Sequence, residues 1–473
     1  MSKRTIGSRG SLPLGLVVGL SLLLAACAPA AQPAAAPAKP TEAPKPAAAA
    51  SPAASPAASP SPSPSPSPAA AAPGPAVAAS PAAKPSGQAP GGGGVAQTAA
   101  AKPSATIQGP EIKLGFVTVT EGSPFAANGK RAQDGARFAV KEINEAGGVG
   151  GVPIRLIEGD TRGDVNSMAT IVRRLGTEEK VLAMIGPLLS GECNVGCPLA
   201  NELKLPVLTP GAAQAGLMAR ARPYAFRLVM PDDANSYPVI QAIIKRQNIK
   251  KAAIIVDQRE AIAKFMGENF WPKVFQDSGA QVAETVTFTS GDPSFAAQVT
   301  TLKAAAPDAL GLAAGSADAA RIALEVRRQG LRTQLLGTGG LQSTGEDFIK
   351  AGGDAVEGTM TAAQFDPDNP DPVVQALIKK YIQQTGNQDV TLNAAYAYDA
   401  VYLIVDQIKQ MGVTNDPARL DDDRGKIKDG LEKVNGWVGM GGSTTLGPDG
   451  EVRRALMIAT VKGGKFVIEQ VSQ

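Results

Sequence analysis

Residues 111–473 predict an α/β fold of two doubly wound lobes joined by a hinge of crossing strands, on three observations. Short β-branched runs alternate with stretches of helical spacing, the pattern of parallel strands covered by helices on both faces. The alternation runs once, pauses at Met230-Pro231-Asp232-Asp233, and runs again, which makes two sheets in series with a cleft between them. A body of about 360 residues also suits two hydrophobic cores better than one.

The first strand is Ile112 to Val119, β-branched and apolar, and helical spacing follows from Phe125 to Ala146 until Gly147-Gly148 stops it. The same grammar gives strand Ile154 to Glu158, helix Val165 to Glu178, strand Val181 to Ile185, a helix after Ser190, and strand Val207-Leu208. The second run reads as helix Asp233 to Gln247, strand Ala252 to Val256, helix Ala261 to Ser278, strand Gln281 to Phe288 and helix Phe295 to Ala305. Strand Ala309 to Leu312, helix Asp318 to Gln329 and strand Leu335-Leu336 complete it. After Val356 to Thr361, helices Pro372 to Thr385, Leu392 to Met411 and Arg424 to Val434 read as the chain returning to the first lobe, and Ala455 to Val471 as final strands.

Ahead of this body the chain is an address and a tether. Lys3, Arg4 and Arg9 precede an apolar run from Leu12 to Ala26 that is shorter than the ~20 residues of a membrane span, and small residues lead to Cys27. A cleaved export signal is expected. The stretch to Pro110 is rich in Pro, Ala and Ser and has no Phe, Trp or Tyr after Pro29, so it forms no packed core and reads as disordered and semi-extended. At ~3.1 Å per residue its reach is at most roughly 250 Å. The expected layout is a signal peptide over 1–26, a lipidated cysteine and tether over 27–110, and the first part of lobe one over 111–232. Lobe two follows over 233–360, the return to lobe one over 361–455, and final strands over 456–473, assigned to lobe two.

Composition removes several function classes. The first 110 residues carry seven of the 46 basic side chains and one of the 43 acidic ones, so the body holds 39 basic and 42 acidic residues. That balance offers nothing to nucleic acid. Histidine is absent, which removes the commonest general base, the Ser-His and Cys-His pairs and the commonest metal ligand. Ser190 and Ser343 lack the glycine two positions back that a nucleophile elbow needs, and there is no phosphate-binding G-x-x-x-x-G-K loop. A scarcity of aromatics, 4% of residues, argues against a sugar platform. The reading is of a protein that is not an enzyme and uses no cofactor or metal.

Several segments resemble the type I periplasmic solute-binding proteins, particularly the branched-chain amino-acid binding family that serves ABC transporters. They are Ser123-Pro124-Phe125-Ala126-Ala127-Asn128-Gly129, Glu142 to Val149, Ile185-Gly186-Pro187-Leu188-Leu189-Ser190, Leu205 to Ala212 and Tyr396 to Tyr402. Leu24-Ala25-Ala26-Cys27 likewise resembles the lipobox of bacterial lipoproteins, which implies acylation at Cys27. The family resemblance implies a ligand held between lobes, with Phe125 and Asn128, Ser190 and Gly191, and Gly211, Ala212 and Ala213 on the lobe-one side. A helix start there offers free N–H groups to a carboxylate or carbonyl oxygen, and Ser190 is equally readable as a plain N-cap. On the lobe-two side the candidate ligand-binding residues are Arg259, Glu260, Gly315, Ser316 and Gly339.

The chain departs from that family where amino-acid binders carry a threonine, at Ala213, and aromatics, near Asn128, Ala261 and Gly315. It also lacks the acid near Gly339 that holds a ligand ammonium, and an ammonium buried without a counter-charge is costly. Asp257 or Glu260 would substitute under a shifted register, Arg259 would suit a carboxylate, and the bland reading of Arg259 and Glu260 is a solvated loop pair. Cys193 and Cys197 stand four apart in a predicted helix and read as a disulfide or as two buried thiols. Gly337-Thr338-Gly339-Gly340 reads as a cleft-lining turn, Trp271 and Trp437 as packing residues, and Asp421-Asp422-Asp423 as a charge run in a loop. Together these readings describe a monomeric, membrane-tethered receptor that captures a small polar solute by lobe closure and presents it to an ABC permease. The alternative is a sensor subunit of the same fold.

Overall fold

The computed structural model describes residues 106–471 apart from residues 124 and 344. The expected signal peptide, Cys27 and most of the tether lie outside the described residues. In chain order the elements of lobe one are β1 (Ile112–Thr118), α1 (Ala126–Glu145), β2 (Ile154–Asp160), α2 (Val165–Arg173), β3 (Ala183–Ile185), α3 (Ser190–Glu202), β4 (Val207–Thr209) and β5 (Ala225–Arg227). All five strands are parallel, in the order β2-β1-β3-β4-β5.

The chain then crosses to α4 (Ser236–Arg246), β6 (Lys251–Asp257), α5 (Ala261–Phe265), α6 (Trp271–Asp277), β7 (Gln281–Phe288), α7 (Ala296–Ala305), β8 (Ala309–Ala313) and α8 (Ser316–Arg328). After β9 (Gln334–Gly337), α9 (Gly339–Ser343), α10 (Gly345–Gly352) and β10 (Met360–Ala363) it returns through α11 (Pro372–Thr385), α12 (Leu392–Gln410) and α13 (Leu420–Leu431). The antiparallel strands β11 (Trp437–Gly439), β12 (Gly442–Leu446) and β13 (Val452–Arg453) form a small separate sheet. The last strands, β14 (Met457–Lys462) and β15 (Lys465–Gln470), close the second sheet, whose order is β15-β14-β10-β9-β8-β6-β7. In it β14 and β15 are antiparallel and the others parallel.

Burial explains the strand composition. β1 and β6 are covered on both faces and so read as continuous apolar runs, whereas β7, at the sheet edge, exposes Gln281, Thr285 and Thr287. Each lobe has a core on both sides of its sheet; Phe116, Phe138 and Tyr398 help build one in lobe one, and Trp271, stacked on Phe275 at 5.4 Å, anchors one in lobe two. α1 lies close to β1 and α12 because Gly129 and Gly135 face them: a Cβ would stand 1.6 Å from the Val119 oxygen and 2.1 Å from the Ala394 oxygen.

The differences from the sequence reading are local. The helix read as Val165 to Glu178 passes into a π-helical turn at Arg174–Glu178, and the one read as Ala261 to Ser278 contains another at Met266–Phe270. In the second, Gly267 presses on Val256, where a Cβ would stand 2.4 Å from a valine methyl. β10 extends three residues past the boundary read at 360 and belongs to the second sheet. Asp421-Asp422-Asp423 is not a loop run: the three fill the first turn of α13, where carboxylates suit the positive helix end, and buried Asp423 accepts the Thr414 and Asn415 N–H groups at 2.8–3.1 Å. The body also starts earlier than Glu111. Ile107 is buried, Gln108 donates its N–H to the Thr414 oxygen at 2.8 Å, and Asn415 Nδ2 donates to the oxygens of Gln108 and Glu111 at 2.7 and 3.0 Å.

Three segments, 228–235, 364–371 and 454–456, join the lobes. Gln364 ties the first to the second: its Oε1 accepts the Met230 N–H at 2.5 Å and its Nε2 donates to the Met230 oxygen at 3.1 Å. The Tyr396 hydroxyl donates to the Gln364 oxygen. Arg454 ties the third to the first, donating to the Leu228 oxygen at 3.2 Å and the Gly441 oxygen at 2.7 Å with its guanidinium 4.4 Å over the Tyr396 ring.

Candidate functional site

The carboxyl ends of β1, β3 and β4 in lobe one, and of β6, β8 and β9 in lobe two, carry the residues that the sequence singled out, as open α/β sheets arrange their ligand sites. Phe125 is the N-cap of α1 and half-buried, its N–H donating to Ser123 Oγ at 3.2 Å, and Asn128 follows in the first helical turn. Ser190 is the first residue of α3, whose N-cap is Leu189. Its hydroxyl therefore does not cap its own helix: Ser190 Oγ accepts the Gln214 N–H at 3.1 Å and so joins the loop after β3 to the loop after β4. A hydroxyl used as acceptor keeps its proton free to donate.

Two residues that the sequence reading passed over shape the second loop. Thr209 Oγ1 donates to the Pro187 oxygen at 2.6 Å and accepts the N–H groups of Gly211 and Ala212 at 3.3 and 3.2 Å. Arg227, fully buried on β5, donates through Nη1 to the Ala212 and Gln214 oxygens at 3.1 and 2.8 Å and pairs with both carboxylate oxygens of Glu451. The carbonyls of residues 212 and 214 are thereby turned toward Arg227, and among the described residues the Ala213 N–H donates to no protein acceptor. With exposed Gly191 in the first turn of α3, this makes a corner of N–H groups at a helix start beside a hydroxyl, suited to a carboxylate. Glu192 sits under that corner; its carboxylate accepts from the Thr161 hydroxyl and the Leu189 N–H, and burial pushes its pKa up.

Lobe two presents less. Asp257 is fully buried at the end of β6, where its Oδ1 accepts the N–H groups of Arg259 and Ser290 at 2.9 and 3.0 Å and fastens two loops together. Arg259 and Glu260 are exposed, and no ion pair joins them among the described residues. Gly315 is the exposed N-cap of α8, where an added Cβ would meet nothing within 4 Å, and Ser316 begins the helix. Gly339 opens α9 and donates its N–H to Ser236 Oγ at 3.4 Å. The glycine-rich turn Gly337 to Gly340 thus ends β9 at the cleft.

Cys193 and Cys197 are joined by a disulfide inside α3, which settles the choice that the spacing left open. Trp271 is buried in the lobe-two core, and Trp437 donates its indole N–H to Asp406 at 2.9 Å.

The periplasmic binding protein family model matches residues 111–465. The chain belongs to the periplasmic binding protein family. Within it the chain is 27% identical over 311 residues to Leu/Ile/Val-binding protein homolog 3 of Brucella melitensis, covering 65% of this chain and 81% of that protein. It is 24% identical to the leucine-, isoleucine-, valine-, threonine- and alanine-binding protein of Pseudomonas aeruginosa, over 64% of this chain and 79% of the relative. Among solved structures, the branched-chain amino acid transporter substrate binding protein LivJ of Streptococcus pneumoniae, in complex with isoleucine, superposes with a TM-score of 0.65 at 26% identity, covering 76% of this chain and 99% of its own. The leucine binding protein LivK of Thermotoga maritima gives 0.64 at 25% identity, over 76% and 97%. These place the chain among type I periplasmic binding proteins, a family of solute-binding proteins rather than enzymes that works outside the cytoplasm. Among the described residues no helix is long and apolar enough to cross a membrane.

Proposed function

We propose that this periplasmic binding protein is the substrate receptor of an ABC importer, lipid-anchored through Cys27, that captures a small polar solute of the branched-chain amino-acid, amide or carboxylate type between its lobes. The observation that carries the reading is the lobe-one corner, in which Thr209 and Arg227 hold the loop after β4, Ser190 bonds that loop, and among the described residues the Ala213 N–H donates to no protein acceptor. The ligands for which the relatives are named, leucine, isoleucine and valine, all carry a carboxylate of the kind that corner accepts.

Capture begins on lobe one, where a solute carboxylate takes the free N–H groups and the Ser190 hydroxyl proton. Rotation about the three crossings brings the ends of β6, β8 and β9 over it and removes water, which strengthens each buried hydrogen bond. Closed and open forms differ in outer shape, and a permease distinguishes them by that difference.

A thermal-shift panel on the full-length protein tests this, with amino acids, amides, ureas, and aliphatic and aromatic carboxylates as ligands. Saturation at 100 times Kd stabilises by about 2.7 kcal/mol, a readable rise in melting temperature. Silence across the whole panel would sink the reading.

A further inference from the structure

The first segment joining the lobes and the start of α9 bring together polar groups that the lobe-one corner does not use. Asp232 donates its N–H to the Ala213 oxygen at 3.1 Å, so its backbone is hydrogen-bonded to the proposed carboxylate loop. Its carboxylate is half-buried, accepts the Ser236 hydroxyl at 3.3 Å, and forms no ion pair among the described residues. Ser236 Oγ in turn accepts the N–H of Gly339, at 3.4 Å. Beside them Asn235 is fully buried with both side-chain amide atoms lacking a hydrogen-bond partner. A Cβ on Gly339 would stand 3.5 Å from Ser236 Oγ and 3.7 Å from Asn235 Nδ2.

Resting on the receptor reading above, the geometry points to Asp232 as the cation-binding residue of the cleft, holding the ammonium of a zwitterionic α-amino acid with Asn235 as a neutral neighbour. The bare Gly339 gives no acid, and Asp232 supplies one from the hinge segment instead. The two charges of an α-amino acid lie close together, and the Asp232 main chain is hydrogen-bonded to the loop that takes the carboxylate. A partly desolvated carboxylate that Arg227 offsets only at a distance, next to a buried amide without partners, is an unfavourable arrangement when no ligand is bound, and an ammonium relieves it. Asp232 is also held above its usual range, at about 6, by burial, with Arg227 and Asp233 as the other charges facing it.

The test is calorimetric titration of the full-length protein with L-leucine and with 4-methylpentanoate, which is leucine without its amino group. The wild type should prefer leucine by about tenfold to hundredfold, as a charge-assisted hydrogen bond in a half-buried site allows. Asp232→Asn should bring the ratio to within about threefold while leaving 4-methylpentanoate binding in place, and adding Gly339→Asp to that variant should restore the preference. A second measurement uses no variant: at pH 6, leucine binding should release up to about half a proton as Asp232 ionises, read from buffers of different ionisation enthalpy, and 4-methylpentanoate should release none. A leucine preference that survives in folded Asp232→Asn, or leucine binding without proton release, overturns the assignment. Binding of 4-methylpentanoate but not leucine overturns it and leaves the receptor reading standing; binding of neither overturns the assignment and counts against the proposed ligand class too.

Discussion

Removing Glu451 should cost more stability than its surface position suggests, because the loss falls on Arg227. The Arg227 side chain is fully buried, whereas the Glu451 side chain keeps 23% of its surface. Two of the guanidinium's four hydrogen bonds go to that carboxylate and two to the Ala212 and Gln214 carbonyls. Glu451→Ala leaves the charge buried with two neutral acceptors, and an uncompensated buried charge costs about 3–5 kcal/mol, taken at about 3 because water reaches the vacated side. For a body of about 360 residues unfolding as one unit, with an unfolding entropy of about 2.1 cal/mol/K per residue, that lowers Tm by about 4 °C, and by about 8 °C if lobe one unfolds alone. Arg227→Met removes the charge itself, strands two carbonyls and should cost about 2–4 kcal/mol while loosening the loop at Ala213. Urea unfolding followed by circular dichroism measures both. A loss under 1 kcal/mol for Glu451→Ala would show that Arg227 does not depend on the pair, and the account of how the corner is held would be wrong.

Other perturbations give separate readouts. Replacing Cys193 and Cys197 by Ala, or reducing the bridge, removes a closed loop of about five residues, worth about 2 kcal/mol by chain entropy, and a midpoint unchanged by reductant would contradict it. Gln364→Ala strands both main-chain groups of Met230 at the hinge and should lower stability by about 2–4 kcal/mol in urea unfolding. Burial holds Asp232 at about 6 and Asp399 at about 7, above their unfolded values. An acid whose pKa is raised on folding contributes stability that is full below the unfolded pKa and lost as pH rises through the folded one, so the urea midpoint should fall between pH 4 and 7. Asp232→Asn should flatten that fall by about 2 kcal/mol or less, after allowing for its contact with solvent; a midpoint that rises over this window would refute the assignment of these two groups.

How much was legible depended on how far each feature reached along the chain. Ile112 to Val119 announced a strand by a largely continuous apolar run and Gln281 to Phe288 by its β-branched and aromatic content, and α11 matched its Pro372 to Thr385 reading because Asp371 and Gly386 mark its ends. β5 and the strands around Gly442 escaped because three to five residues carry too little periodicity, and their partners lie elsewhere in the chain. The site followed the same rule. Ser190, Gly191 and Gly211 to Ala213 stood in family-like segments, whereas Arg227 lay in a stretch that showed no element and its partner Glu451 is 224 positions away. Asp232 was visible only as part of a lobe boundary, since its neighbour Gly339 is distant in sequence.

The clasp on Gln108 has a mechanical meaning. Ile107 and Gln108 are fixed to lobe one by Thr414 and Asn415, at the amino end of β1 and away from the strand ends that carry Ser190. The described chain is therefore tied to lobe one before it reaches any of the three crossings. If the lobes close on a solute as proposed, the moving part relative to this clasp is lobe two.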